Sequence, residues 1–426
     1  MTTEAWTTSQ VSRVWAASAA GMAIVGALFG NPLLFALGVL LGTVLLIAWA
    51  SARRSLTDLT IERRFSHSRA FFGENVDLAH VFTNNKPLPL AWLFIEDRFP
   101  SALQIDSPHV TRTETPNRSA LTAALSLGWY ERVTRHYEVH CTARGEHDFG
   151  PIQVESGDLF GLFRHIATRD SPGSLLVYPR YVPVTSLGIP ARQPFGEFKA
   201  AQNLATDPLR LRAVREYAYG DNPRHIHWKA TARRGELQTR LFEPAATPQL
   251  FIFCNQDTFV RMWEGLDLET LELTITVAAS LANHALEEGY MVGLHVNAFA
   301  LRSDTQVRIP PNRDPAQLTR ILESLARVTG WSGLPMEDLI RAERRNLPIA
   351  ATVVVVTGVL TEEMLDLLLA LRRSGHPVTL VETSGSARPT GGARSAHPDA
   401  LLSQGITYYK VDAVGQAKEI TSLAFA

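Results

Sequence analysis

The sequence predicts a multidomain chain: an N-terminal transmembrane helical hairpin, a β-sandwich (Ig-like) middle domain and a C-terminal α/β (Rossmann-like) domain. Three observations predict it. A stretch of 39 residues, 14–52, contains no Asp, Glu, Lys or Arg. From Leu56 apolar and polar residues alternate at period two, the pattern of half-buried strands. From Leu250 short continuous apolar runs alternate with helical patterns, as in a parallel sheet covered by helices. Composition sets the outer bounds. The chain has 426 residues, 41 Lys+Arg against 42 Asp+Glu and a net charge of −1. That length calls for more than one domain, and the near-neutral balance exerts no global pull on nucleic acid or anionic membrane. A hydrophobic share of 46% excludes disorder of the chain as a whole. Two cysteines, Cys141 and Cys254, exclude a disulfide framework.

The hairpin is assigned to residues 12–52. Asn31-Pro32 interrupts the uncharged stretch, because proline lacks an N–H and disfavours a helical residue before it. Two apolar helices result, 14–30 and 33–50, each near the ~20 residues that span a bilayer's hydrocarbon core. Trp15 and Trp49 lie near the outer ends, where indoles favour the membrane interface. A cleaved signal peptide would lead into a polar chain, whereas here a second apolar segment follows at once. Arg13 precedes the pair, and Arg53, Arg54, Arg63 and Arg64 follow it. Positive charge stays inside, so the expectation is a two-pass protein of the cell membrane. It contacts the bilayer through residues 14–50, with both termini and the soluble domains cytoplasmic.

Residues 56–187 form the predicted β-sandwich. Leu59, Ile61, Arg63 and Phe65 alternate with Thr60, Glu62 and Arg64, and Val133, Arg135, Tyr137, Val139 and Cys141 with Thr134, His136, Glu138 and His140. Leu90, Trp92 and Phe94 mark a further strand, and Asn84-Asn85-Lys86-Pro87 a turn. His136, His140 and His147 invite a metal reading. At period two, however, His136 and His140 share an outward face with Glu138, and a metal site needs three or four convergent ligands. Cys141 falls on the opposite face as a small core residue.

Residues 188–245 read as a connector. Within 210–243, eight cations face four anions, a local +4 in a chain of −1. Gly220-Asp221-Asn222-Pro223 is a turn, and Gly235 marks a second. His225, His227 and Lys229 alternate with Ile226 and Trp228, which predicts a short extended segment. A phosphate or nucleic-acid patch would use the arginines with Tyr217 and Trp228 as stacking platforms, but Glu216, Asp221, Glu236 and Glu243 interleave and repel phosphate; no nucleic acid is expected. Asp221, His225 and His227 as metal ligands lack a fourth, and Asp221 with His225 as an acid–base pair lacks a nucleophile. The favoured reading is a connector in which arginines pair with carboxylates while Ile226 and Trp228 anchor it to a neighbour. Docking of a partner is its functional extension.

The run Val214-Arg215-Glu216-Tyr217, Gly220-Asp221, Arg224-x-Ile226-x-Trp228-Lys229, Thr231-Ala232-Arg233-x-Gly235-x-Leu237 and Phe242-Glu243 resembles the signature of the "domain of unknown function 58" family. Arg144-Gly145, Gly150-Pro151-Ile152, Asp158-Leu159-Phe160-Gly161-Leu162-Phe163 and Val177-Tyr178-Pro179-Arg180 also fit it, as do the twin apolar segments. The resemblance implies a membrane-anchored bacterial or archaeal protein, often encoded beside a MoxR-type AAA+ ATPase. It also implies a von Willebrand factor A-like domain after the signature. It carries Arg215, Glu216, Tyr217, Gly220, Asp221, Arg224, Trp228, Lys229, Arg233 and Gly235 forward as binding or interdomain docking residues. No enzymatic activity comes with it.

Residues 246–426 carry the α/β pattern. Strands are expected at 250–254, 291–296, 351–356, 378–381 and 407–411, and helices at 267–288 and 362–373. The stretch 384–399, rich in Gly, Ser, Pro and Arg, reads as a loop. A-type domains hold a metal through Asp-x-Ser-x-Ser after the first strand, a later Thr and an Asp. Here the matching residues are Cys254-Asn255-Gln256-Asp257-Thr258-Phe259, and Val356-Thr357-Gly358 has no Asp before its Gly. Asp257, Thr258 and Thr357 offer fewer oxygens than a hard cation wants, so a degenerate, metal-free and cofactor-free fold used for protein contacts is expected. The sequence thus points to a membrane-anchored scaffold or adaptor working with a MoxR-type AAA+ ATPase. The alternative is a metal-dependent or thiol enzyme sited near Asp221, His225 and His227 or at Cys254. Nothing in the composition compels an enzyme.

Overall fold

A computed structural model describes residues 4–8, 10–191, 194–195, 206–219, 221–244, 248–260, 264–301, 303, 305–385, 401 and 403–412. It divides into two compact units, Met1–Tyr178 and Pro179–Ala426.

The first unit begins with strand β1 (Glu4–Thr8), followed by helices α1 (Gln10–Leu28) and α2 (Pro32–Arg53). The break between the helices is built from local chemistry. Gly30 takes the left-handed φ of 63°. The Asn31 side chain accepts from the amides of Leu33 and Leu34 at 3.1 and 3.3 Å, and Pro32 occupies the first helical position, where its missing N–H costs nothing. α2 is long and apolar enough to cross a membrane; the apolar part of α1, Ser12–Leu28, is shorter. The two helices meet through small residues. A Cβ added to Gly26 would stand 2.4 Å from the Phe35 amide nitrogen, and one added to Gly38 2.4 Å from that of Ala23. Glycine is therefore what lets the backbones touch. The bulky side chains point the other way: Ile24, Leu28, Leu33, Leu40, Leu46 and Ile47 are all more than half exposed.

Twelve strands complete this unit: β2 (Leu59–Phe65), β3 (Arg69–Phe71), β4 (Asn75–Asn84), β5 (Leu90–Pro100), β6 (Gln104–Ile105), β7 (Val110–Arg112), β8 (Arg118–Leu127), β9 (Arg132–His140), β10 (Gly145–Phe149), β11 (Ile152–Gly157), β12 (Phe163–Arg169) and β13 (Gly173–Tyr178). They form a six-stranded sheet in the order β1-β12-β11-β5-β8-β7, a four-stranded sheet β2-β4-β9-β6 and a three-stranded sheet β10-β13-β3. Cores lie between sheets: Phe82 of β4 packs with Leu93 and Ile95 of β5, and Leu78 and Val139 with Phe99 and Leu175. The alternation along β9 holds, with Cys141 buried beside Val139 and burial raising its thiol pKa to about 12. His136 turns outward to Asp77 and His140 to Asn75.

His147 is instead buried, its Nε2 2.9 Å from the Ala143 carbonyl oxygen. Arg63, one of the charges flanking the hairpin in sequence, is also inside. It grips the buried Asp97 with two bonds of 3.1 and 2.5 Å, and His80 Nε2 lies 2.9 Å from the same carboxylate. The bidentate carboxylate, together with the Ser171 carbonyl that accepts from Arg63 Nη1 at 2.6 Å, sustains a charge this deep.

The second unit begins with a 3-10 turn, Val184–Leu187, and then a pair, β14 (Thr206–Glu216) and β15 (Gln238–Pro244), enclosing helix α3 (Trp228–Arg234). Next come β16 (Gln249–Cys254), α4 (Leu268–Glu287), β17 (Met291–Ala300), β18 (Gln306–Asn312), α5 (Gln317–Arg327), β19 (Val328–Ser332), α6 (Met336–Glu343), β20 (Thr352–Thr357), α7 (Glu362–Arg373), β21 (Val378–Ser384) and β22 (Thr407–Asp412). The sheet is mixed, in the order β18-β17-β16-β20-β21-β22, with β19 also on β17. β17, β16, β20, β21 and β22 run parallel to one another, while β18 and β19 are antiparallel to β17. Phe251, Phe253, Val353, Val355 and Leu380 pack on one face against Met336 and Leu339 of α6 and Met364 and Leu368 of α7. The intervening residues Ile252 and Val354 are equally buried, and α4 packs on the same strands.

Candidate functional site

Two places concentrate the chemistry. The first is the insert between β14 and β15. Asn222 Oδ1 accepts from the Arg224 amide at 3.1 Å, and with Pro223 it starts a 3-10 turn, Pro223–His225. His227 then caps α3, its Nδ1 accepting from the Ala230 amide at 3.1 Å. Gly235 ends that helix at φ 77°. Thr231 Oγ1 accepts from the Gln238 amide at 3.0 Å and ties α3 to β15. Residues 225–229 are therefore a turn, one extended residue, Ile226, bridged to Thr239 of β15, and a helix start, so the extended segment that their alternation suggests shrinks to that single bridge. The cap residues on either side outweigh a two-residue repeat too short to enforce a strand.

Asp221 organises the other side of the insert. Its carboxylate accepts from the Ala218 amide at 2.9 Å and from Arg215 at 2.7 Å, and these two bonds, the amide first, hold its pKa below the ordinary value. Tyr217 donates its hydroxyl to the Asp221 carbonyl at 3.0 Å. Arg215, Tyr217, Asp221 and Gly235 thus shape the insert. Arg224, Trp228, Lys229 and Arg233 face solvent, as does Glu216. Gly220 lies outside the described residues, as does 386–399 of the expected loop. Trp228 is 67% exposed, so it does not anchor the segment. Val214, His227, Lys229, Ala230, Arg233, Arg234 and Gln238 line a shallow groove of positive character.

The second place is the C-terminal end of the parallel strands. From β16 the chain runs to β17 on one side and later returns to β20 on the other. The sheet's switch point, where α/β folds bind ligands, therefore lies between β16 and β20. Asn255 and Thr357 meet across it, Asn255 Nδ2 donating to Thr357 Oγ1 at 3.0 Å. The buried Asn297 Nδ2 donates to Asn255 Oδ1 and to Asp257 Oδ2, both at 2.9 Å, and its Oδ1 accepts from the Gln256 amide at 2.8 Å. Thr357 donates to the Val359 carbonyl at 2.5 Å, and Thr258 Oγ1 accepts from the Asp267 amide at 2.9 Å. Burial pushes the Asp257 pKa up, with Ser332 and Asn297 opposing as donors and Glu337 adding to the rise.

Asp257, Thr258 and Thr357 are near this crevice, but amide and hydroxyl groups of the chain itself satisfy them. Among the described residues no three His, Cys, Asp or Glu side chains converge as a metal site. Asp221, His225 and His227 are not gathered into one either: Asp221 is spent on Arg215 and His227 on the α3 cap. Cys254 is sealed in the sheet, where its sulfur accepts from Gln256 Nε2 at 3.3 Å. Asn297 escaped the sequence reading; the signal was an amide near the end of a strand that is apolar but for it and His295.

With this geometry in view, known proteins provide a comparison. Residues 213–392 match the model of the family described as "Protein of unknown function DUF58". The uncharacterized protein YeaD of Bacillus subtilis (strain 168) is 26% identical over 320 residues, 73% of each chain. Among solved structures, the CARDB domain of the PF1109 protein from Pyrococcus furiosus aligns with 28% of this chain and 92% of its own at 12% identity and a TM-score of 0.19. A non-cellulosomal cohesin from Archaeoglobus fulgidus aligns with 28% of this chain and 91% of its own, at 13% identity and the same TM-score of 0.19.

Proposed function

Given that residues 213–392 belong to the DUF58 family, we propose that this chain is a membrane-anchored binding and assembly protein whose signature insert docks an acidic protein partner. The observation that carries this reading is the division of labour in the insert. Four of the signature residues, Arg215, Tyr217, Asp221 and Gly235, lock its shape, while Arg224, Trp228, Lys229 and Arg233 present one indole and three cations to solvent beside Glu216. Trp and Arg on a preorganised surface are the residue types that dominate protein–protein binding energy.

The anchor is the hairpin, read as two-pass. Its outward bulky apolar residues and glycine-mediated interior suit lipid rather than water. β1 precedes α1 and pairs with β12, while α2 leads directly into β2, which supports both ends of the hairpin lying on one side of the membrane. Arg13, Arg53 and Arg54 favour the cytoplasm for that side. We read the first unit's sheets as an Ig-like sandwich and the second unit's sheet as a von Willebrand factor A-like domain whose metal site has been replaced by amides. A MoxR-type AAA+ ATPase is the partner we propose, on the strength of the family resemblance.

Affinity recovery of that ATPase from membranes, with the full chain and its Arg224→Ala and Trp228→Ala variants, tests the reading. Losing an exposed hot-spot indole should cut recovery about tenfold or more, a loss of roughly 1.4–3 kcal/mol. Equal recovery by all three would overturn the role of the insert.

A further inference from the structure

At one end of the first unit, two turns hold large apolar side chains in solvent. In the turn between β11 and β12, Leu159 is 80% and Phe160 66% exposed; in the turn between β8 and β9, Trp129 is 73% and Tyr130 69% exposed. Neither turn is loose. The Asp158 carboxylate, itself buried, accepts from the amides of Phe160 at 2.9 Å and Phe163 at 2.7 Å, and Gly161 takes φ 68° to close the loop. In the other turn the Glu131 carboxylate accepts from the Gly128 amide at 2.5 Å, and the fully buried Asn84 donates to the Gly128 carbonyl at 2.7 Å. Fixed turns that hold four such side chains outward forgo the burial that apolar surface ordinarily seeks.

Both turns adjoin the hairpin. Thr8, just before α1, pairs with Phe163, the residue that closes the 158–162 turn. Lys86 donates its ammonium to the Ser55 and Thr57 carbonyls at the exit of α2, and its own carbonyl accepts from the Tyr130 amide at 3.3 Å. α2 also packs on β11 and β12. At this same end of the hairpin stand Trp15, near the start of α1, and Trp49, near the end of α2, with the Arg53 guanidinium 5.4 Å from the Trp49 ring centroid. The opposite end of the same strands differs in kind. There Pro100 of β5 pairs with Arg118 of β8, and the adjoining turn, 113–117, is Thr-Glu-Thr-Pro-Asn.

We infer that the Trp129-Tyr130 and Leu159-Phe160 turns insert into the headgroup region of the bilayer that the hairpin crosses, forming with Trp15 and Trp49 an aromatic collar that seats the body on the membrane. The inference rests on the membrane reading above. Its physics is that of a monotopic contact: amphipathic rings favour the interface, and apolar side chains bury just below it. Because the turns are already fixed, insertion costs little ordering entropy, and a body held by two helices and two turns cannot swing freely about a single linker.

The test uses the full chain in phosphatidylcholine–phosphatidylglycerol vesicles, with single nitroxide labels at Trp129→Cys, Leu159→Cys, Thr115→Cys and Leu40→Cys. The native Cys141 and Cys254 are buried and stay unlabelled. Collision rates with apolar oxygen and with a water-soluble nickel chelate report depth. Positions 129 and 159 should favour oxygen, as position 40 does, while position 115 favours nickel. Should 129 and 159 behave like 115 while 40 remains in lipid, the anchor stands and the collar falls. A label at 40 that collides freely with nickel would sink the membrane reading itself. Positions 129 and 159 shielded from both reagents would overturn lipid contact in favour of protein contact.

Discussion

The crevice at the sheet's switch point and the insert between β14 and β15 hold similar side chains and use them in opposite ways. In the crevice Asn255, Asn297, Asp257 and Thr357 turn inward and satisfy one another. In the insert one set of polar groups is spent on shape so that another can stay free of the fold. A parallel sheet directs attention to its switch point, yet here that point is closed by the chain's own amides, and the exposed indole and cations lie on a two-stranded insert. Locked donors make stability and exposed ones make contacts, so the two regions should answer mutation differently.

The largest expected effect comes from breaking the lock. Asn297→Leu removes the donors to Asn255, Asp257 and Leu334 and the acceptor for the Gln256 amide. It leaves a partly buried carboxylate facing a methyl group, a loss of about 2–4 kcal/mol. Thermal unfolding of the full chain and amide exchange along β16 and β17 would show it. Trp228→Ala in the same assays should stay within about 0.5 kcal/mol of wild type, because an exposed ring supports little of the fold. If the two variants exchanged effects, the contrast between crevice and insert would be broken.

A smaller effect sharpens what the insert's shape is worth. Gly235 sits at φ 77° with nothing near its missing Cβ, so Gly235→Ala meets strain in the backbone alone. The expected cost is about 1 kcal/mol. It should appear as faster amide exchange at the end of α3 with no change in β16 or β17. An unchanged α3 would mean that Thr231, through its bond to Gln238, holds the helix without its glycine cap.

What was legible in the sequence divides along the same line. Glu362–Arg373 appears as the helix its pattern predicts, because Thr361 caps it and its apolar face is regular. The apolar strands at the centre of the α/β sheet were equally plain. β18 was not, since Pro310 and Pro311 disguise a strand that only an edge position tolerates. α3 was hidden because seven residues carry too little periodicity to outvote a His-Ile-His-Trp alternation, although Asn222-Pro223 before it and Gly235 after it were the better guide. The crevice was half legible. Asp257 and Thr357 were visible as candidate ligands, but their partner Asn297 is far from both in sequence, and only strand register brings the three together.

The smallest expected effect is also the most diagnostic for the crevice. Burial raises the Asp257 pKa above the ordinary carboxylate value, so between those two values the folded chain binds more protons than the unfolded one. Stability at this site therefore falls as pH rises through that window, and the full penalty is present above the raised value. An asparagine at this position would keep an acceptor for Asn297 and shed the buried charge. Asp257→Asn should accordingly melt slightly above wild type at neutral pH, with the difference closing as pH drops below the ordinary carboxylate range. A variant that melts below wild type at neutral pH would show that the charge itself is needed, as it would be for holding a cation. Adding magnesium should then stabilise wild type alone, and the amide lock would be the resting state of a working metal site, not its replacement.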